Sequence, residues 1–443
     1  MTIGIGLLGL GTVGAGVAQI LATPSGRHPL VGELALRRVA VRDLQRPRPL
    51  ELAPSLLTTD PEAVVDDPSV DIVVEVMGGL EPARSLILRA IAAGKPVVTA
   101  NKAVIARYGE EIAAAAAERG VYVLIEAAVG GGIPIIEPLK QSLGANRISR
   151  VSGIINGTTN YILSRMADEG AAYAEVLADA QRLGYAEADP AADVQGGDAA
   201  DKIAILAALA YGGVVPRAQI PATGIDQLDA RDVAYADQLG YGVKLLAVAE
   251  QVGIAADGTA ELDISVNPTL VPRDHPLAGV HGVNNAILVE GDPVGRVMFY
   301  GPGAGAGPTA SAVVADILNI AGIRQVTGVG SSQQPLPLDP LLAAGSWRPC
   351  RLVDPAQTHH RNYVRLRTSD QAGVIGRIGT CFGEAGVSLQ SIVQFQAPSG
   401  TGGGQAEIVV ITHQVSEAAF RAAMAAIEAL PVVDHVAACL RTL

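Results

Sequence analysis

Cysteine is scarce in this 443-residue chain, which has only Cys350, Cys381 and Cys439, all far apart. An odd, scattered set offers neither metal-ligand spacing nor a disulfide framework, as expected for a reducing compartment. Aromatic residues make up 3% and charged residues 17%, against 49% hydrophobic, so disorder is excluded and large aliphatic cores are expected. Basic charge is in deficit, 32 residues against 44 acidic ones for a net −12, which speaks against a nucleic-acid partner. Long apolar runs are missing too. The longest, residues 203–216, contains two glycines and falls short of the ~20 residues of a membrane span. No basic stretch precedes the apolar N-terminus, so no signal peptide and no membrane partner are expected, and the chain is placed in the cytoplasm.

What is present is patterning. At roughly 150 residues per domain the length suggests about three domains. Residues 1–137 alternate short apolar runs with Ala-rich helical stretches. Strands are expected at 5–10, 38–41, 72–77, 96–99 and 121–125, and helices at 13–21, 82–93 and 105–119. That alternation implies βαβ units and a parallel, Rossmann-type sheet in an α/β fold. Residues 138–307 read as a mixed α+β domain, with helices at 159–167, 173–183 and 198–211 and antiparallel strands from 245 to 300. A helix at about 308–325 is expected to return to the first domain. Residues 331–356, Pro-rich and polar, read as a linker. Residues 360–443 follow a β-α-β-β-α-β order, a small ferredoxin-like module, with Gly402–Gly404 a loop in its hairpin.

Gly9-Leu-Gly11-Thr12-Val13-Gly14 is a G-x-G-x-x-G sequence between a strand and a helix. Its glycines permit a tight turn, backbone approach to a pyrophosphate and close helix packing, with the helix N-terminus facing the negative charge. An acid at the end of the second strand would select NAD. Here Arg42 precedes Asp43. Arginine suits a 2′-phosphate, so NADP is favoured, while Asp43 keeps NAD open.

The densest polar stretch runs from Gly184 through Glu187, Asp189, Asp193, Asp198 and Asp201 to Lys202. Asp198 and Lys202 are four apart at the start of an apolar helix and share a face. A surface ion pair there would contribute only ~0.3–0.5 kcal/mol. Five acids around one lysine suit a held proton donor, or a site for a substrate ammonium group. Lys102, in Thr99-Ala-Asn-Lys102, follows a Rossmann strand at the edge where substrates meet cofactors, though spacing alone would make it a loop lysine just as readily.

These residues carry a resemblance. The pattern Ala180-x3-Gly184-Tyr-Ala-x2-Asp189-Pro-x2-Asp193-Val-x-Gly196-x-Asp198-x3-Lys202 resembles the signature of monofunctional homoserine dehydrogenases with a C-terminal ACT domain. Supporting stretches are 9–14, 75–79, 99–102, 126–134, 153–161 and 301–315, so the resemblance spans essentially the whole chain. It implies NAD(P)-dependent interconversion of L-homoserine and L-aspartate 4-semialdehyde in threonine, methionine and isoleucine biosynthesis. Carried over, Glu187 and Asp198 would bind the substrate, supported by Asp193. Lys202 would be the general acid. Lys102 would stabilise oxyanion charge and touch the nicotinamide. Gly78, Gly79, Thr99, Gly184 and Gly303 would border the cofactor. Glu126 with the carbonyls of Val129, Gly131 and Ile133 would bind a monovalent cation, sodium. The middle domain would also dimerise the chain, giving a homodimer or homotetramer.

The C-terminal module resembles an ACT domain, which implies feedback by an amino-acid effector, L-threonine, at Asp370, Gly373 and Val374. A module that only dimerises through its sheet is the plainer alternative. Other readings fare worse. A phosphoglycerate-type dehydrogenase calls for a His–acid pair, and His275 and His281 lie in no such motif. Aspartate-semialdehyde dehydrogenase calls for a cysteine nucleophile in the catalytic region, where there is none. An amino-acid sensor on an inactive scaffold has no reason to keep Lys102, Glu187, Asp198 and Lys202 together.

Overall fold

The computed structural model describes residues 2–48, 50–327, 336–343, 345–346, 348–396 and 404–443. The linker residues 331–335 and the hairpin residues Gly402 and Gly403 lie outside these.

The first unit comprises β1 (Ile3–Leu8), α1 (Thr12–Ala22), β2 (Leu34–Ala40), β3 (Leu57–Thr58), α2 (Pro61–Asp66), β4 (Ile72–Glu75), α3 (Ala83–Ala92), β5 (Val97–Thr99), α4 (Lys102–Arg119) and β6 (Val123–Leu124). Its six strands are parallel in the order β3-β2-β1-β4-β5-β6, a doubly wound sheet with its switch point between β1 and β4. Near-continuous apolar runs form these strands because helices cover both faces. Ile5, Leu7, Val73, Val74 and Val98 are fully buried. Two elements, β3 and α2, were not expected from the sequence. A two-residue strand has no period, whereas α2 carried a usable signal in Asp60, which caps the amides of Glu62 and Ala63 ahead of Pro61. The strand at 97–99 is therefore the fifth of the sheet, not the fourth that the sequence suggested.

The second unit comprises α5 (Ile136–Lys140), β7 (Arg147–Ile154), α6 (Gly157–Glu169), α7 (Tyr173–Arg182), α8 (Ala191–Val194), α9 (Gly197–Tyr211), α10 (Ala230–Gln238), β8 (Tyr241–Ile254), β9 (Ala260–Pro272), β10 (Asn284–Asp292) and β11 (Gly295–Pro302). Its strands are antiparallel, and the apolar face of α9, including Ile203 and Leu206, packs on them. Then α11 (Ala306–Thr327) returns to the first unit beside α1. A Cβ at Gly16 would lie 2.3 Å from the Ala306 carbonyl oxygen, so a glycine is needed for this approach. By length and composition α11 could cross a membrane. Its Ala310, Val313, Ile317 and Ile320 are instead buried in the core of the first unit.

The described residues after α11 do not run free. Leu336 and Leu342 pack on the first core, the Tyr122 hydroxyl donates to the Pro337 carbonyl at 2.6 Å, and β12 (Cys350–Leu352) pairs with β9. The Pro-rich composition suggested a linker because it reports local conformation and not docking.

The C-terminal module comprises β13 (His359–Ser369), α12 (Val374–Glu384), β14 (Leu389–Gln396), β15 (Gln405–Thr412), β16 (Val415–Ser416), α13 (Glu417–Glu428) and β17 (Val433–Thr442). Its order β17-β13-β15-β14 is ferredoxin-like. Through the parallel β9–β17 pair it joins the middle unit in one eleven-stranded sheet. Its Tyr363, Val409 and Ile411 lie in the middle unit's core. Arg365, 1% exposed, grips Asp232 of α10 in a bidentate pair at 2.7 and 3.0 Å and reaches Glu407 at 3.1 Å. Arg231 and Tyr235 of α10 also bind Glu407, and Tyr235 stacks on Phe395 with centroids 4.1 Å apart.

Candidate active site

Three elements bring polar side chains together beyond the C-terminal edge of the parallel sheet. Asn101 caps α4 and so presents Lys102 on its first turn. The β7–α6 turn supplies Ile155 and Asn156. Gly196, at φ +81°, starts α9 and puts Asp198 in its first turn, where the helix dipole favours negative charge.

Asp198 is the centre. Lys102 Nζ lies 2.8 Å from its Oδ1, and Lys202 Nζ 2.7 Å from its Oδ2. Lys202 Nζ also donates to the Ile155 carbonyl at 2.7 Å. Asp198 is 7% exposed and the Lys202 side chain 11%, whereas Lys102 keeps 37%. Burial opposes the charge on all three. In Asp198 the opposing charges of Lys202 and Lys102 prevail, and its carboxyl is held far below the usual carboxylate range. In Lys202 burial prevails over Asp198, with Lys102 adding repulsion, so its ammonium is more acidic than an ordinary lysine. In Lys102 burial is outweighed by Asp198, and its pKa is raised. One lysine is thus prepared to release a proton and its neighbour to keep one.

Asp193 joins the cluster through Asn156, whose Nδ2 donates to Asp193 Oδ1 at 2.8 Å and Asp198 Oδ2 at 2.9 Å. Other acids of the stretch do not join. Asp201 faces Arg107 and Arg217, and Asp189 caps the Ala191 amide. Glu187 is exposed, and its carboxylate pairs with nothing among the described residues.

The glycine turn fits a dinucleotide. Gly9 has φ +102°, and a Cβ at Gly14 would lie 2.2 Å from the Gly9 carbonyl oxygen. Gly11 faces open space, and α1 starts there with no side-chain cap, leaving first-turn amides beside Thr12 and Val13 for a phosphate. Gly78 and Gly79 both have positive φ, +77° and +78°, and no atom lies within 3.8 Å of a Cβ built on either. Gly184, at φ +78°, is open as well. Gly303 has a packing reason to be glycine, since a Cβ there would lie 1.4 Å from Asn285 Oδ1. Thr99 is fully buried and donates to Glu75 Oε2 at 2.7 Å while accepting from the Asn101 amide. Its hydroxyl therefore holds Asn101, whose Nδ2 holds the Gly79 carbonyl at 2.8 Å. Arg42 stands exposed, with no partner among the described residues, and Asp43 Oδ1 accepts from the Gln45 amide.

For a cation, Val129, Gly131 and Ile133 are buried residues whose carbonyls receive no hydrogen bond from the described residues. Such an oxygen set fits a hard monovalent ion. The Glu126 carboxylate accepts from the amides of Ile135, Ile136 and Glu137 at 2.6–3.0 Å, leaving one of its four acceptor positions. In the C-terminal module, Asp370 accepts from Gln394 at 3.0 Å. Gly373, at φ +88°, opens α12 without a side-chain cap, and the Val374 side chain is in the core.

Ile155, Asn156, Glu75 and Asn101 were not singled out from the sequence. A glutamate inside the apolar run 72–77 was a usable signal for Glu75; a carbonyl ligand such as Ile155 leaves none.

A family profile described as homoserine dehydrogenase matches residues 134–318, its NAD binding domain matches 9–126, and an ACT domain matches 362–432. A homoserine dehydrogenase of Synechocystis is 57% identical over 443 residues, covering all of both chains. This chain belongs to the homoserine dehydrogenase family. It is an oxidoreductase with an NAD(P)-binding domain, a catalytic domain and an ACT domain. The crystal structure of a homoserine dehydrogenase from Thiobacillus denitrificans is similar at TM-score 0.87 and 43% identity, covering 100% of this chain and 98% of that one. A hyperthermophilic archaeal homoserine dehydrogenase in complex with NADPH is similar at TM-score 0.60 and 29% identity, covering 75% of this chain and 99% of that one.

Proposed function

We propose that this chain interconverts L-homoserine and L-aspartate 4-semialdehyde with Lys202 moving the proton at the C4 oxygen. The Asp198 carboxylate between two lysines of opposite pKa shift carries this reading. The bound nicotinamide would supply or accept the hydride at C4. As negative charge develops on the oxygen, Lys102 stabilises it and Lys202 donates a proton; in the other direction Lys202 takes the proton back. Lys202 has three N–H donors, and two are held by Asp198 and Ile155, which leaves one for the substrate. Glu187, exposed and without a partner among the described residues, receives the substrate ammonium group, and Asp198 keeps one acceptor position for orienting the substrate.

Gly9, Gly11, Thr12, Val13 and Gly14 hold the pyrophosphate, Gly78 and Gly79 border the nicotinamide half, and Gly184 and Gly303 approach the cofactor backbone to backbone. NADP is favoured over NAD because Arg42, just past the end of β2, is exposed and has no partner among the described residues. Glu126, Val129, Gly131 and Ile133 hold sodium in a structural role. L-threonine acts at Asp370, Gly373 and the Val374 amide. The chain works in the cytoplasm as a homodimer or homotetramer; its three free thiols suit a reducing compartment.

The test is nucleotide reduction by purified protein with L-homoserine, NADP and NAD in parallel, repeated with Lys202→Ala. Homoserine-dependent turnover is expected, reduced about 10²–10⁴-fold in the variant. Equal turnover in the variant would remove Lys202 from the proton's path.

A further inference from the structure

Asn156 touches both acids of the cluster and a helix end with one side chain. Its Oδ1 accepts from the Thr159 amide at 2.9 Å and the Thr159 hydroxyl at 3.1 Å, capping α6. That commitment orients the amide group. Turned over, its NH2 would face the Thr159 N–H and its oxygen would face two carboxylates. Both Nδ2 hydrogens therefore point at Asp193 Oδ1 and Asp198 Oδ2, with the residue 5% exposed. The preceding residue, Ile155, holds Lys202 through its carbonyl. Two consecutive backbone positions at the β7–α6 turn thus fix both ends of the Lys202–Asp198 pair.

We propose that Asn156 is a positioning residue for the proton-transfer step, locking the Asp198 carboxylate plane so that Lys202 keeps one N–H directed at the substrate oxygen. This rests on the assignment of Lys202 as the proton donor. Among the described residues, Asp198 Oδ2 receives Lys202 and Asn156 alone, and Oδ1 Lys102 alone. Without the amide donor the carboxylate is free to turn about its last bond and follow either lysine. Lys202 then loses its fixed direction, because the Asp198 oxygen it donates to is no longer held in place. Asp193 loses its tie to the cluster in the same step. The charged groups facing this point are Asp193 of α8, Asp198 and Lys202 of α9, and Lys102 of α4.

Helix capping and positioning can be separated by substitution. Serine and aspartate both cap helices as well as asparagine, yet neither supplies two amide hydrogens. Asn156→Ser and Asn156→Asp are expected to keep α6 and dinucleotide binding, followed by circular dichroism and by NADPH fluorescence titration. Turnover at saturating L-homoserine is expected to fall about 10–100-fold in both, as for a misplaced catalytic group. In Asn156→Asp the added negative charge is expected to move the rising pH limb of homoserine oxidation to higher pH, since a nearby anion favours the charged lysine. Wild-type kcat with an unmoved limb in either folded variant overturns the proposal. A lower yield of folded protein, with unchanged kcat per active site and an unmoved limb, also overturns it and leaves only the cap. Lys202→Ala run alongside separates the two readings: full activity there removes the proton donor itself, whereas an inactive Lys202→Ala beside fully active Asn156 variants removes only the positioning role.

Discussion

Lys102 and Asp198, from different domains, meet at 2.8 Å between Nζ and Oδ1. This contact connects the first residue of α4, at the edge of the dinucleotide domain, to the first turn of α9 in the catalytic domain. On the proposed function, this contact ties the dinucleotide-binding domain to the helix that carries Lys202.

The two reaction directions should show opposite pH limbs. With Lys202 as the proposed proton donor, oxidation of homoserine would need its neutral form, so the rate should rise with pH through the Lys202 pKa. Reduction of the semialdehyde would need the ammonium form and should fall through the same value. Burial and Lys102 lower that pKa, so both limbs lie below the ordinary lysine value of 10.5. Initial rates in both directions across pH check this; limbs at or above that value would contradict it.

Asp198→Asn should lower kcat about 100-fold and destabilise the chain at neutral pH, because two ammonium groups lose their shared counter-charge. Asp198 has a folded pKa below its unfolded one, so its stabilisation is present above about pH 4 and is lost as pH falls through the folded value. The difference in urea midpoint between wild type and variant should therefore shrink below about pH 4. A difference that stays constant into that range would show that Asp198 is not the linked group.

Arg42→Ala should raise the KM for NADP about tenfold and leave that for NAD nearly unchanged, the loss of one charge-assisted contact to a 2′-phosphate. Parallel initial-rate measurements with both nucleotides decide it. Equal effects on both would place the 2′-phosphate elsewhere.

Arg365→Leu should cost about 3–5 kcal/mol, since Asp232 and Glu407 would remain buried with part of their partners gone. Adding Asp232→Leu should recover part of that loss, because an unpaired buried carboxylate is removed. Urea midpoints of the single and double variants measure it.

Much of the fold is legible in particular residues. The runs at 5–10 and 72–77 are apolar without alternation, as strands covered on both faces must be. Gly9 and Gly14 place the cofactor turn because only glycine permits the positive φ of the first and the close approach of the second, and Gly11 leaves open space between them. Asp198 and Lys202 declare their pairing by helical spacing alone. By contrast, nothing near Tyr363 or Arg365 shows that their module shares a core with α10, and the Pro-rich stretch gives no sign that Leu336 and Leu342 dock on the first domain.

What the sequence by itself determined are the features encoded locally: strand and helix periods, the glycine turn, and the order of the C-terminal module. Tertiary structure alone decided which charges meet. It drew Lys102 onto Asp198, gave Asn156 two carboxylates, turned Asp201 away to Arg107 and Arg217, and merged two modules through the β9–β17 pair. The physical reason is that hydrogen-bond geometry and desolvation depend on distances through space. Residues far apart in the chain acquire them only once the cores have packed.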